Sequence, residues 1–276
     1  MKRGERFAYW TQRLVSEPGR RFSLDELRAP LGTPKSTLSG DLADLKRFFA
    51  EVGAGQVETW TGAAGGVRFR PLRPSSLLRQ WAEELRQELS QESRVLPGGL
   101  LYLQDVLFDP FWAQRIGEIL ASLFASREPE YVLTVETRGV PPALFAARAL
   151  GVKMVLARRT SRPAEGPAVH IHYRSQSSDR IQTMSLARRA LPPGSRVLIV
   201  DDFMRGGGTL RGMEQLLEEF SCEVVGRGVV LATAVPEEKV VRDFVSILWL
   251  EEVQEGMKPR LRLGHLLEEE GQRDQP

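Results

Sequence analysis

The sequence is poor in residues that build cross-links and metal sites. It contains one cysteine, Cys222, and three histidines in 276 residues. A single cysteine excludes an internal disulfide and is typical of a protein in a reducing compartment. His170 and His172 alternate along one predicted strand, but no further ligand stands at supporting spacing, so we interpret them as surface residues. His265 lies in a carboxyl-terminal stretch, and no catalytic Ser-His-Asp or Cys-His arrangement can be argued.

Long hydrophobic runs are also missing. No apolar stretch approaches the roughly 20 residues that cross a bilayer, and the start MKRGERF lacks the apolar core of a signal peptide. We therefore expect a cytoplasmic protein without membrane contact. The composition, 42% hydrophobic and 27% charged, is ordinary for a folded chain, and the length favours two domains.

The charge is unevenly distributed along the chain. Residues 1–73 carry 13 Lys and Arg against 8 Asp and Glu, whereas residues 74–276 carry 25 against 28. A basic amino-terminal domain on a mildly acidic body indicates a module that binds a polyanion. We place the domain boundary at this point.

Three short helices are predicted in the amino-terminal domain. Apolar side chains recur at helical spacing over residues 7–15, and Ser23 with Glu26 forms a capping box that starts a second helix. Pro34 suits the first position of a third helix. Its buried stripe is predicted to be Leu38, Leu42, Leu45 and Phe49.

A predicted β-hairpin follows these helices. Residues 56–60 (QVETW) and 67–70 (VRFR) alternate around a glycine-rich turn. Three helices followed by a hairpin form the plan of a winged helix, which binds DNA. The alternative is a small dimerisation or docking module, but element order, charge and hairpin all favour DNA. The predicted DNA contacts are Lys35, Ser36, Thr37 and Ser39 on the third helix and Arg68 and Arg70 on the wing.

The second domain, residues 74–276, shows an α/β alternation. Amphipathic helices are predicted at residues 75–91 and 110–126, and residues 94–103 resemble a strand with a Pro-Gly-Gly break. Strands that alternate with helices predict a mostly parallel sheet, with ligands at the carboxyl ends of the strands. The predicted strands are residues 131–136, 153–158, 169–173, 196–200, 224–232 and 246–252.

One stretch, residues 197–209 (VLIVDDFMRGGGT), predicts a ligand-binding site. An apolar run typical of a buried parallel strand meets Asp201 and Asp202, and a glycine-rich turn then leads into a helix at Thr209. Free backbone N–H groups and the helix dipole favour a phosphate at such a turn. Carboxylates repel phosphate, so the two acids suit ribose hydroxyls or Mg²⁺ on the same ligand.

This stretch is neither a Walker A loop nor a Rossmann turn. It resembles the phosphoribosyl pyrophosphate (PRPP) signature of type I phosphoribosyltransferases. The alternative, an αβ turn with a glycine run and no ligand, explains neither the paired acids nor the order of residue types.

Four further motifs extend the resemblance along nearly the whole chain. They are GAAGGV (62–67), LPGG (96–99), TRGVP (137–141) and RIQTMSL (180–186). With a winged helix in front, the chain resembles the purine operon repressors of Gram-positive bacteria. Arg205-Gly206 stands where such repressors often have Lys-Ala, a change that leaves phosphate binding intact.

The resemblance implies a set of effector-binding residues. Asp201 and Asp202 would meet the ribose hydroxyls of PRPP, residues 205–209 its 5-phosphate, and residues 137–139 its pyrophosphate. A mobile loop from about 159 to 184 would close over the ligand, with Arg180 a further candidate. The full set is Asp201, Asp202, Phe203, Met204, Arg205, Gly206, Gly207, Gly208, Thr209, Thr137, Arg138, Gly139, Tyr173 and Arg174.

The resemblance also implies a function. We expect a homodimeric repressor of purine biosynthesis genes whose phosphoribosyltransferase-like domain senses nucleotides and performs no chemistry. PRPP, with or without Mg²⁺, would release DNA, and guanosine tetra- or pentaphosphate would compete for the same site and favour repression. The alternative is a purine phosphoribosyltransferase with an extra amino-terminal module, because binding residues alone do not reveal turnover.

Overall fold

The computed structural model describes residues 2–62, 65–160, 164, 166–175, 180–264 and 267. Several sequence-based predictions fall outside these residues. They concern the tip of the hairpin turn at residues 63–64, parts of the mobile loop at 161–163, 165 and 176–179, the side chain of Arg180, His265, and the charged carboxyl-terminal tail.

The described elements alternate along the chain much as the sequence predicts. The helices are α1 (Arg3–Ser16), α2 (Leu24–Arg28), α3 (Lys35–Glu51), α4 (Ser75–Leu89), α5 (Gln104–Phe108), α6 (Pro110–Phe124), α7 (Val140–Leu150) and α8 (Gly208–Glu219). The strands are β1 (Arg21–Phe22), β2 (Gln56–Trp60), β3 (Gly66–Arg70), β4 (Val95–Leu96), β5 (Leu100–Leu101), β6 (Tyr131–Val135), β7 (Lys153–Ala157), β8 (Ala168–Ser175), β9 (Arg180–Ala187), β10 (Arg196–Met204), β11 (Glu223–Thr233), β12 (Val245–Glu252) and β13 (Arg260–Leu263).

The amino-terminal unit is a winged helix, as predicted. Helices α1 to α3 pack on an antiparallel sheet of order β1-β3-β2, whose β2–β3 hairpin is the wing. The Ser23 hydroxyl accepts the Glu26 N–H at 3.1 Å, which confirms the start of α2. Helix α3 begins at Lys35 with Pro34 as its N-cap, one residue later than predicted. Strand β1 was not predicted, since two residues are too short for a periodic signal.

A compact core holds these elements together. Trp10 and Phe22 are fully buried beside the predicted stripe of α3, and the Trp10 indole N–H donates to the Leu27 carbonyl at 3.2 Å. Asp41, which is buried on α3, accepts hydrogen bonds from Arg3 and Arg6 of α1. This carboxylate therefore holds α3 against α1.

The second unit is an α/β layer structure, which confirms the predicted fold class. Its sheet has the order β13-β12-β11-β10-β6-β7, and only the β12–β13 pair is antiparallel. Side chains of α4, α6 and α7 pack in the core on one face, and those of α8 pack in the core on the other. In the described part of the chain, no helix combines the length and the apolarity needed to span a membrane.

One predicted strand lies outside this sheet. Residues 169–173 were assigned to the α/β alternation, but β8 pairs antiparallel with β9 in a separate ribbon that packs on α8. The predicted mobile loop therefore contains a ribbon. The sequence could not show this, because a half-buried strand alternates in the same way whichever partner it has. Strand β13 and helix α5 were also not predicted.

Strands β6 and β10 are neighbours in the sheet, and this pairing brings together the segments that follow them. Val197 pairs with Tyr131 and Ile199 with Leu133 in parallel register. Parallel neighbours end at the same edge of the sheet, so the segments after both strands open into one crevice. Residues 137–139 and 201–209 meet there, as predicted.

Candidate functional site

A crevice of about 600 Å³ lies at the carboxyl ends of β6 and β10. It brings together most of the residues that the sequence singled out. The lining comprises Val135, Glu136, Thr137, Arg138, Arg159, Asp201, Asp202, Phe203, Met204, Arg205, Gly206, Gly207, Gly208, Thr209 and Leu210. Gly139 lies directly beneath, where a Cβ would come 3.5 Å from Asp201 Oδ1.

Two adjacent carboxylates form the floor of the crevice. Asp201 is 4% exposed and Asp202 is 8% exposed, and the Asp202 N–H donates to Asp201 Oδ1 at 3.0 Å. Arg138 Nε lies 3.0 Å from Asp202 Oδ2, but this charge contact is not aligned as a hydrogen bond, and Oδ2 is buried without a donor. A buried acceptor without a donor is costly, so this oxygen is suited to accept a ligand hydroxyl.

The raised pKa values of the two carboxyls also indicate a site that is completed by a ligand. Burial raises the pKa of Asp201 well above its ordinary value, and the neighbouring charge of Asp202 raises it further. Burial also raises the pKa of Asp202, although the Arg138 charge opposes this shift. Two desolvated like charges disfavour ionisation. A ligand that supplies hydroxyl donors or a bound cation would stabilise the two carboxylates and offset the cost of their burial and mutual repulsion.

The glycine-rich turn forms the wall opposite these acids. Helix α8 begins at Gly208, and its N-cap, Gly207, has a φ of 90° that a side chain would strain. The Val240 N–H donates to the Gly206 carbonyl at 3.0 Å, which fixes the turn from behind. The first N–H groups of α8, together with the half-exposed Thr209, face the crevice and can bind phosphate.

The loop after β6 forms the third side. Its Gly139 caps α7 and packs so tightly that a Cβ would lie 2.6 Å from the Thr134 hydroxyl. Arg138 and Thr137 are exposed on top of it, and the Glu136–Thr137 peptide is cis. The loop thus presents one cation and several main-chain groups to the space above the carboxylates.

Two predicted residues lie elsewhere in the described chain. Tyr173 is buried against Gly212 of α8, and its hydroxyl donates to Gln182 Oε1 at 2.8 Å. Burial raises the pKa of Tyr173. Arg174 is exposed on β8 and does not line the crevice. Tyr173 therefore packs against helix α8 and does not line the crevice.

The sequence reasoning missed four lining residues, of which Val135 and Leu210 are apolar and Glu136 and Arg159 are charged. Arg159 contributes a cation at the rim, and its backbone N–H donates to Glu136 Oε1 at 2.8 Å. Both residues follow carboxyl ends of parallel strands, β7 and β6, which is the signal that could have found them. Phe203 and Met204 were predicted and do line the crevice, but their side chains pack into the two cores on either side of the sheet.

The predicted DNA-contacting residues fall into two groups. Lys35, Ser36 and Ser39 are exposed on the first turns of α3, and Thr37 is half-exposed. Lys35 Nζ lies 3.7 Å from Asp25 Oδ2, a weak surface ion pair. These side chains and the uncapped amino terminus of α3 form a surface that can bind phosphates.

The wing arginines are more constrained. Arg68 and Arg70 both bind Glu58 on β2, with Arg68 Nε at 2.9 Å from Glu58 Oε2. Burial would raise the pKa of Glu58, but the two arginines outweigh it and lower that pKa. Both arginines line a cleft of about 500 Å³ shared with Ser126 and Glu128 of the second unit. Their charge is partly neutralised within the protein.

Comparison with known proteins covers both units. Residues 2–71 match the family described as bacterial purine repressor, N-terminal, and residues 105–258 match the phosphoribosyl transferase domain. A xanthine phosphoribosyltransferase from Limosilactobacillus fermentum is 33% identical over 156 residues, covering 54% of this chain and 78% of that protein. Adenine phosphoribosyltransferase from Saccharomyces cerevisiae superposes with a TM-score of 0.51 at 22% identity, over 60% of this chain and 98% of that one. That likeness shows the fold.

Other relatives match nearly the whole chain. The purine biosynthesis transcriptional activator PurR of Lactococcus lactis (strain IL1403) is 38% identical, covering 92% of this chain and 93% of the relative. The purine biosynthesis transcriptional repressor PurR of Bacillus subtilis (strain 168) is 40% identical, covering 90% and 87%. With a winged helix, a phosphoribosyltransferase fold and this extent of identity, the chain belongs to the PurR family of purine biosynthesis transcriptional regulators.

Proposed function

We propose that this protein is a DNA-binding repressor of purine biosynthesis genes that responds to a phosphoribosyl ligand. It acts in the cytoplasm, where its single cysteine stays reduced. The observation that carries the proposal is the buried Asp201–Asp202 pair facing a glycine turn, in a chain that also carries a winged helix. An acceptor without a donor and a free helix amino terminus are the complements of a ribose and a phosphate.

PRPP fits this arrangement group by group. Its two ribose hydroxyls can donate to Asp201 and Asp202, and its 5-phosphate can accept from the main chain of residues 206–209. The pyrophosphate then extends toward Arg138 and Arg159, and Mg²⁺ can bridge it to the ribose oxygens. Guanosine tetra- and pentaphosphate also present ribose and diphosphate groups, so we propose that they compete for the same crevice.

The sign of the response is part of the proposal. One relative is named an activator and another a repressor, so membership of the family does not fix it. We propose that PRPP lowers the affinity of the protein for operator DNA. Guanosine tetra- and pentaphosphate would keep that affinity high by competing with PRPP. Linkage requires DNA to lower the affinity for PRPP by the same factor.

An enzymatic function is the second candidate, and the identity to a xanthine phosphoribosyltransferase favours it. Transfer would need cations that stabilise the departing pyrophosphate. Arg138 is engaged with Asp202, and Arg159 and Arg205 are two further loop cations that line the crevice. Residues that bind PRPP serve a sensor equally well, so only turnover separates the two functions.

The deciding experiment combines both activities. Binding to a purine-gene control region is titrated with PRPP and Mg²⁺, and the same protein is incubated with PRPP and each purine base. Release of DNA by PRPP without nucleotide formation supports the sensor. Nucleotide formation at enzymatic rates would overturn the proposal that the domain performs no chemistry.

Lys35→Ala is expected to weaken DNA binding about equally for all sequences and to reduce the slope of log K against log salt by about 1, the value for one lost phosphate contact. Lys46→Ala, an exposed lysine near the other end of α3, is the matched control and should leave the slope unchanged. Binding is measured by fluorescence anisotropy at several salt concentrations. An unaltered slope in Lys35→Ala would contradict a DNA contact at this turn.

We also propose a homodimer, because helix-turn-helix proteins usually read two half-sites with two-fold symmetry. An apolar groove of about 1020 Å³ between α1 and α3 includes Phe7 and Val15, with Phe48 56% exposed. Its rim carries Arg3, Asp44 and Arg47, whose ion pairs within the chain can exchange with those of a second copy across a two-fold axis. We assign this groove to a second copy of the chain, which would fix the spacing of the two recognition helices.

Phe48→Glu is expected to shift the protein from dimer to monomer, because a charge at the centre of an apolar contact must be desolvated. Sedimentation velocity measures the change. Leu144→Glu is the control, since Leu144 is 52% exposed on α7 in the second unit. A Phe48→Glu protein that stays dimeric would place the dimer contact on another surface.

A further inference from the structure

We infer that helix α7 is the mechanical link between the effector crevice and the winged helix. This inference rests on the proposed function, because it assigns the route by which a ligand in the crevice alters DNA binding. Helix α7 is 11 residues long, about 16 Å at 1.5 Å per residue. Close contacts pin both of its ends, the first to the carboxylate floor and the last to the winged helix.

The amino-terminal end of α7 is part of the crevice. Gly139 caps the helix and packs against Thr134 and Asp201 without room for a Cβ. The preceding residue, Arg138, contacts Asp202 Oδ2. A ligand that donates hydroxyls to this oxygen and offers phosphate to Arg138 competes for both partners of that contact. Ligand binding therefore acts on the first turn of α7.

The carboxyl-terminal end of α7 touches the winged helix through two facing glycines. Gly151, the C-cap, packs on Gly19 so closely that a Cβ on Gly19 would overlap Gly151 Cα, and a Cβ on Gly151 would lie 2.8 Å from the Gly19 carbonyl oxygen. Gly19 in turn donates its N–H to the Phe69 carbonyl of β3 at 2.7 Å. The end of α7 thus abuts the turn that supports the wing.

A second route runs from the middle of α7 through α6. At Gly117 the two helices approach so closely that a Cβ would lie 2.5 Å from Phe145 Cβ. The next residue, Glu118, binds Arg73 Nε at 2.7 Å, and Arg73 Nη1 donates to the Ala54 carbonyl at 2.6 Å. Ala54 lies between the recognition helix α3 and the wing strand β2.

Close contacts at both ends of α7 prevent either end from shifting without a shift of its neighbour. A helix is stiff along its axis, and close-packed backbone contacts cannot absorb a displacement as a long side chain can. Movement of the first turn of α7 is therefore passed to the turn at Gly19, which is the main route, whereas the Glu118–Arg73 ion pair ties α6 to Ala54 only through two long side chains. Both destinations belong to the unit that carries the DNA-contacting residues.

The test separates coupling from binding. Gly19→Ala introduces a methyl group that must push Gly151 away, and Gly32→Ala is its matched control. Gly32 lies in the same unit and has a φ of 57°, so an alanine there would bear a similar backbone strain. Nothing lies within 4 Å of its Cβ position, so the added methyl group would push nothing away. Gly151→Ala has the corresponding control Gly194→Ala, with a φ of 78° and open space.

Three quantities are measured for each variant. They are the Kd for PRPP by calorimetry, the Kd for operator DNA, and the Kd for DNA at saturating PRPP. In the wild-type protein and both controls, the Kd for DNA at saturating PRPP should exceed the Kd for DNA alone by the full coupling ratio. For allosteric proteins this ratio is typically about 5–150. Gly19→Ala and Gly151→Ala should still bind PRPP with near wild-type affinity, but their ratio should fall toward 1. A full ratio in both variants would overturn the link.

A measurement on the wild-type chain covers the case in which these variants fail to fold. Hydrogen exchange at the amides of Gly19 and Gly151 should change when PRPP is added, and unchanged exchange at both would also overturn the link. Failure of the proposed function looks different. In that case PRPP would not bind, or would leave the DNA affinity of the wild-type protein itself unaltered.

Discussion

Asp202→Ala is expected to make the protein insensitive to PRPP at concentrations that release DNA from the wild type, while leaving DNA binding intact. The alanine removes Oδ2, the buried acceptor without a donor, and the charge that faces Arg138. A hydrogen bond to a charged group contributes about 1.5–3 kcal/mol, so PRPP affinity should fall roughly 10- to 100-fold. The variant should still bind operator DNA without ligand, since none of the predicted DNA contacts lies in the unit that carries Asp202.

Calorimetry with PRPP and a DNA gel shift with and without PRPP check this expectation. Asp243→Ala is the matched control, because Asp243 is an exposed aspartate of the same unit at 3.7 Å from Arg227. It should behave as the wild type does. Normal release of DNA by PRPP in the Asp202→Ala protein would refute the assignment of the crevice.

The raised pKa values give the same site a pH signature. A carboxyl whose pKa is raised becomes protonated at a higher pH than an ordinary aspartate, whose pKa is about 3.9. Asp201 and Asp202 accept ligand hydroxyls best as carboxylates. PRPP affinity should therefore decline on acidification from a pH above the ordinary aspartate range, and calorimetry across pH would show this decline. An affinity that stays flat down to that range would contradict the assignment.

Arg73→Met is expected to cost about 3–5 kcal/mol of unfolding free energy, because it leaves a buried carboxylate without its cation. That carboxylate is Glu118, which is 2% exposed and binds Arg73 Nε at 2.7 Å. The variant also loses the hydrogen bond from Arg73 to the Ala54 carbonyl. Urea unfolding, followed by tryptophan fluorescence, measures the loss.

A second substitution identifies the cause. Adding Glu118→Gln removes the buried charge and should restore a large part of the stability, because Gln can still hydrogen-bond Gln114 as Glu118 does. Arg260→Met is the control. Arg260 pairs with Glu252 on the surface, and such pairs contribute about 0–1 kcal/mol. Equal losses for Arg73→Met and Arg260→Met would show that the interdomain pair is not a stabilising contact.

Local features of the chain were predictable because local physics sets them. The Ser23–Glu26 capping box starts α2, and the alternation at residues 56–60 and 67–70 forms the wing. The apolar run before Asp201 is a buried parallel strand, and the glycines after it open a helix. Each of these depends on periodicity, capping or backbone sterics, which act over a few residues.

Partners that are distant in the sequence were not predictable. Residues 168–175 alternate as any half-buried strand does, and only the tertiary structure pairs them with β9 rather than with the main sheet. Arg68 and Arg70 read as free wing cations, yet both bind Glu58 across the hairpin. Arg159 carries no motif and reaches the crevice because β7 lies beside β6.

The sequence by itself determined the winged helix, the α/β unit and the residue types that line the crevice. It could do so because strand periodicity, helix caps and a glycine turn are properties of neighbouring residues. The tertiary structure alone decided what lies between the two units. Gly19 and Gly151 are unremarkable turn glycines in the sequence, and they meet only because folding brings the C-cap of α7 against the winged helix. A contact between residues so far apart is set by the packing of whole helices and sheets, which no local pattern encodes.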